Sequence, residues 1–71
     1  MAMHRTAVNM ALKLAIVESG IKQRALSLQV EISEGRLSEI VTGRTEPTPD
    51  EQKRIAKALK RKVDDLFGVA A

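Results

Sequence analysis

The sequence predicts an all-α fold of five short helices, and three observations carry that prediction. Ala, Leu, Lys, Arg, Gln and Glu dominate the composition, and these side chains favour helices. Aromatic residues make up 1% of the chain, Phe67 alone, too few for the strands of a sandwich or barrel. Apolar residues recur at spacings of three and four, and breaks at Gly20, Glu31 to Ser33, Gly43 to Pro49 and Lys60 to Lys62 separate the periodic stretches. The 71 residues are read as a single domain, 1–71, with residues 1–5 expected to be disordered. A domain of this size buries only about 60% of the surface its unfolded chain exposes, so stability rests on helix packing and on any partner chain.

The first helix is expected from Thr6, whose hydroxyl can cap it, to Ser19, with Val8, Leu12, Ala15, Ile16 and Ser19 on one face. Gly20 suits the left-handed position that follows. The second, Lys22 to Val30, takes its apolar side from Ala25, Leu26, Val30 and, at the edge, Leu28. Ser33 is a good N-cap for the third, Glu34 follows in the positive first turn, and Leu37, Ile40 and Val41 form the buried face before Gly43 stops it. Pro47 and Pro49 exclude a helix over the next stretch. Thr48 and Glu51 then form a capping box around Pro49, opening a fourth helix with Ile55, Ala56 and Leu59 as its core stripe. The last piece, Val63 to Phe67, starts with Asp64 and Asp65 near the positive end of its dipole and is anchored by Val63, Leu66 and Phe67.

Composition excludes several function classes. No apolar run approaches the ~20 residues that span a bilayer, and Asn9 and Lys13 interrupt any signal core, so a cytoplasmic, nucleoid-associated location is the default expectation. With no cysteine, and His4 alone near the N-terminus, no metal site or other cofactor is expected. No serine-histidine-acid set, paired-carboxylate cleft or phosphate-cradling loop is present, so no catalytic residue is assigned and the chain is read as not an enzyme. A formal charge of +3 is compatible with a polyanionic partner.

The second and third helices are too short to persist alone. Leu26 and Val30, Ile32 in the turn, and Leu37 and Ile40 supply the lock between them, and Ser27 is small enough to let the two backbones approach. A helix-turn-helix over Gln23 to Thr42 follows. Gly20-Ile21-Lys22-Gln23, Leu26, Val30, Ile32-Ser33, Leu37, Ile40, Gly43, Pro47, Ile55 to Leu59 and Val63 to Phe67 together resemble the Cro and phage-repressor type of regulator, often called XRE-like. The likeness runs from Leu12 to Gly68. It implies a five-helix lambda-repressor-like DNA-binding domain.

Three positions depart from that pattern. Ser27 stands where alanine is usual, and Glu31 where glycine is usual in the turn, which implies either a strained tight turn or a slightly different one. Ile16 and Val41 replace an arginine–glutamate pair, an exchange that is often neutral or stabilising.

The resemblance implies a third helix in the major groove, with Glu34, Gly35, Arg36, Ser38, Glu39 and Thr42 as the base-reading set. Arg36 is the first candidate, because a guanidinium can donate two bonds to guanine or hold a phosphate. Glu34 can accept from a cytosine amino group or simply cap the helix. Lys22, Gln23, Arg24, Ser33, Arg44 and Thr45 form the expected phosphate-binding set. Lys60 to Lys62 are read as a solvated loop. The implied partners are double-stranded DNA and a second copy of the chain, with no membrane and no small-molecule ligand. Leu66, Phe67 and Val69 are the expected dimerisation residues, with Met1, Met3, Val8 and Met10 as another cover for that surface. The expected function is transcription regulation from a palindromic operator. The alternative is an antitoxin-like or anti-repressor module that keeps the fold without reading DNA.

Overall fold

A computed structural model describes residues 8–68, and in them the chain forms α1 (Met10–Ser19), α2 (Gln23–Val30), α3 (Glu34–Val41), α4 (Pro49–Leu59) and α5 (Val63–Phe67). All five expected helices are present. None of them is long and apolar enough to cross a membrane. α2 packs on α3 and α4, α1 on α5, α3 and α4, and α4 on α5. One apolar cluster lies between them: Leu12, Ala15, Ile16, Leu26, Val30, Ile32, Leu37, Ile40, Val41, Ile55, Ala56, Leu59 and Leu66 are buried, with Val63 and Phe67 packed against it.

The start of α1 differs from the expectation. Thr6 lies outside the described residues, and Asn9 is the cap, its Oδ1 accepting from the Leu12 N–H at 3.0 Å. Both residue types are good caps, and long-range bonds favour Asn9. Its N–H donates to the Val41 carbonyl at 2.9 Å, and its Nδ2 donates to the Leu66 carbonyl at 2.8 Å. One asparagine therefore ties α1 to the ends of α3 and α5. Val8 precedes the helix and is exposed, and Ser19 is exposed too, its hydroxyl donating to the Ile16 carbonyl. On α2, Ala25 and Leu28 face solvent rather than the core.

The expected crossing of α2 and α3 is present in its details. Ser27 is buried, and its hydroxyl donates to the Arg24 carbonyl at 2.6 Å, so the polar atom carries no unmet bond into the contact. Ile16 and Val41 are both buried in the core cluster, as an apolar pair requires. The capping box at Thr48 and Glu51 is formed in both directions, with Pro49 beginning the helix.

Glu31 resolves the turn. It sits in the left-handed region, φ 60° and ψ 40°, and closes α2 with its N–H on the Ser27 carbonyl. The tight turn is kept and a side chain with a Cβ occupies it, at a cost of about 1 kcal/mol. Glu31→Gly is therefore expected to stabilise the protein by about 0.5–1 kcal/mol, part of the gain being offset by the freer unfolded chain. The urea midpoint should rise; an unchanged or lower midpoint would show that the turn carries no strain.

Candidate nucleic-acid interface

The two faces of α3 separate cleanly. Leu37, Ile40 and Val41 are buried, whereas Glu34, Gly35 and Glu39 are exposed and Arg36, Ser38 and Thr42 are half-buried. The inner lock thus fixes how the outer side chains are presented. The expected base-reading set shares one outward side of the helix, and the side chains of two of its members, Arg36 and Thr42, are already engaged within the chain.

Arg36 is the largest departure. Its Nε donates to Glu51 Oε2 and its Nη2 to Glu51 Oε1, both at 2.7 Å, and Nη2 also reaches the Glu46 carbonyl at 3.5 Å. This is a side-on fork, and it bolts the first turn of α3 to the first turn of α4. The Glu51 hydrogen bond raises the guanidinium pKa further above its ordinary value. The fork uses one edge of the guanidinium. The second Nη2 hydrogen is turned to the Glu46 carbonyl, and the two Nη1 hydrogens have no partner among the described residues and can donate outward.

Ser33 caps α3, its Oγ accepting from the Arg36 N–H at 3.2 Å, which leaves the hydroxyl proton free to donate. Thr42 turns its hydroxyl back to the Ser38 carbonyl at 2.9 Å and the Glu39 carbonyl at 3.3 Å. Glu39 also has its own carbonyl bonded by the Arg44 N–H at 2.8 Å, which holds the chain leaving α3 against the helix end. Arg44 is exposed beyond it and Thr45 half-buried.

The N-terminus of α2 is built differently. Lys22 occupies the cap position but makes no side-chain cap bond, and no other side chain among the described residues bonds the first-turn N–H groups of α2. Lys22 and Arg24 are exposed beside them, with Gln23 half-buried. An uncapped helix start between two cations is chemically suited to a phosphate oxygen. Thus α3 presents acids and small polar groups outward, while the start of α2 and the chain after α3 present cations.

Of the expected dimerisation residues, Leu66 is 3% exposed in the core of its own chain and has almost no surface to offer, Phe67 is half-buried against that core, and Val69 lies outside the described residues. Arg61, from the loop read as solvated, pairs with Glu18 at 2.7 Å.

Two residues that sequence reasoning passed over hold the site together. Glu51 was read only as a helix cap. Arg54, on the same helix, donates from Nη1 to the Val30 carbonyl at 2.7 Å, placing a cation on the negative end of α2. Both bonds join residues far apart in the chain, and no local pattern announces them. Among the described residues no group of three His, Cys, Asp or Glu side chains gathers as a metal site would require.

Comparison with known proteins agrees with this geometry. No curated protein matches the sequence. Among solved structures, the chain is similar to the crystal structure of the clp gene regulator ClgR from C. glutamicum, with a TM-score of 0.76 and 28% sequence identity. That match covers 94% of this chain and 87% of the other. The family described as Helix-turn-helix matches residues 12–66, which takes in every buried residue of the core. The chain belongs to the XRE-like helix-turn-helix family.

Proposed function

We propose that the protein is a sequence-specific double-stranded DNA-binding transcriptional regulator that places α3 in the major groove and acts as a homodimer on a palindromic operator. The observation that carries this reading is the division of α3: a fully buried inner face and an outer face of unburied polar residues, flanked by cations on both sides. Lys22, Gln23 and Arg24, with the first-turn N–H groups of α2, grip one phosphate run, and Ser33, Arg44 and Thr45 grip another. Ser38, Glu39, Glu34 and the backbone at Gly35 meet base edges. Arg36 reads with its Nη1 hydrogens while Glu51 holds Nε and Nη2, so the guanidinium reaches its target already oriented. The resemblance to a clp gene regulator supports the same assignment.

Selection from random duplexes at low salt, followed by titration, tests the proposal. One sequence class should be enriched. Arg44→Ala should weaken binding to all sequences alike and reduce the salt slope by about 1, whereas Arg36→Ala should remove preference at one base position, at about 1–3 kcal/mol. If no sequence is enriched, the regulator reading fails.

One observation favours a second reading. With Arg36 engaged by Glu51, the free charges on the outer face of α3 are the carboxylates of Glu34 and Glu39, which a phosphate backbone repels. A protein-interaction module, antitoxin-like or anti-repressor, would use that acidic face on a basic partner. Its signature is binding that survives when every DNA interaction is lost.

A further inference from the structure

α2 and α4 leave a groove of about 340 Å³ between them, lined by Gln29, Val30, Arg54, Lys57 and Ala58. The buried Val30 and the half-buried Ala58 give it an apolar wall. Gln29 and Lys57 are exposed at its rim, and Arg54 is half-buried between them. The guanidinium of Arg54 is only partly satisfied. Nη1 donates to the Val30 carbonyl at 2.7 Å. Nε is buried 3.1 Å from Asp50 Oδ2 and makes no hydrogen bond. A buried donor without an acceptor costs free energy, so this group has capacity to spare. The Asp50 side chain is 78% exposed and lies outside the lining. Lys57, three residues along the same helix, forms no ion pair among the described residues.

We propose that this groove binds an acidic peptide segment of a partner protein, one that carries an apolar side chain beside its carboxylate. Charge complementarity carries the assignment. Two cations and an amide face a recess that no acid lines, and a guanidinium fork matches a carboxylate. The incoming carboxylate displaces Asp50 from Nε of Arg54. Lys57 stands within reach of it, because side chains three apart on a helix are neighbours. Val30 and Ala58 receive the apolar side chain.

A duplex backbone fits this shape poorly, being broad and stiff where a recess between two helices admits single side chains. Neither cation belongs to the phosphate-binding set proposed above. That set grips at the start of α2, and Val30 is the last residue of the helix, about 10 Å along it. The groove needs no DNA to be filled, so its failure and that of the DNA reading are distinguishable.

The test is a titration of the full chain, without DNA, with the peptide Ser-Gly-Glu-Leu-Glu-Gly-Ser, followed by backbone amide NMR at about 0.15 M ionic strength. Shifts should move at Gln29, Val30, Lys57 and Ala58, with a dissociation constant on the order of 1 mM or below. The same peptide with glutamine for both glutamates should not bind. Lys57→Gln should weaken binding about fivefold, the effect of one lost ion pair, and Asp50→Asn should strengthen it about threefold by removing the competing carboxylate. Lys13→Gln removes the same charge from α1, which does not line the groove, and should leave binding unchanged. The proposal is overturned if the glutamine peptide binds equally well, or if Lys13→Gln weakens binding as much as Lys57→Gln. It is also overturned if another occupant claims the same amides. Inorganic phosphate binding as tightly as the peptide would make this a small-anion site. Duplex DNA shifting those amides more strongly would make it part of the DNA contact. Shifts that grow with protein concentration alone would make it a contact between copies of the chain.

Discussion

Leu37→Ala is expected to cost about 3–5 kcal/mol, the loss typical of a buried leucine whose cavity cannot collapse. Leu37 is 0% exposed, on the inner face of α3. A chain of 71 residues has only about 4–10 kcal/mol in total, so the variant should be partly or wholly unfolded at 25 °C. Neither α2 nor α3 exceeds 8 residues, and helices of that length do not persist without a packed partner. The outer face of α3 is therefore only as well defined as the leucine beneath it, and DNA binding should disappear together with the fold. Urea unfolding followed by circular dichroism measures the loss; a value below about 1 kcal/mol would mean that the crossing relaxes around the cavity and is less close-packed than the burial implies.

The fold was legible where the determining interaction is local in sequence. Apolar spacing identified Leu26, Val30, Ile32, Leu37 and Ile40, all buried. The three-residue spacing of Thr48 and Glu51 announced the capping box, and Gly20 and Gly43 announced breaks that the structure places at positive φ. Exposed apolar residues defeated the same logic. Val8 and Leu28 match a helical period but are exposed, and the exposed outer side of α1 shares its residue types with the core. Polar ties between distant residues were invisible. Asn9 to Leu66 spans 57 positions, Arg54 to Val30 spans 24 and Arg36 to Glu51 spans 15. Side-chain type gives the capacity for such bonds and not the address. For that reason Arg36 read as a free guanidinium, when its strongest partner is a carboxylate on the next helix.

That carboxylate carries the second large effect. Glu51→Ala is expected to cost about 2–3 kcal/mol, since it removes an acceptor of the Thr48 N–H and leaves the Arg36 fork without its partner. At about 4–8 °C per kcal/mol for a domain of this size, the melting temperature should fall by roughly 10–20 °C. Glu51→Gln should cost about half as much, because an amide oxygen can still accept from Thr48 while the charge is gone. The pH dependence separates the two contributions. The Arg36 hydrogen bond holds the Glu51 carboxyl down at about 2, against an ordinary value of 4.5, with desolvation opposing it and the Thr48 N–H assisting. A carboxylate with a lowered folded pKa stabilises fully above its unfolded value and loses that contribution as pH falls toward the folded one. The stability difference between wild type and Glu51→Gln should therefore be largest near neutrality, shrink below about pH 4.5 and be nearly gone near pH 2. A difference that stays constant across that range would show that the charge on Glu51 contributes nothing. The same variant links stability to recognition: with its anchor neutralised, Arg36 regains rotamer freedom, so preference among DNA sequences should fall while the phosphate grip of Lys22, Arg24 and Arg44 persists.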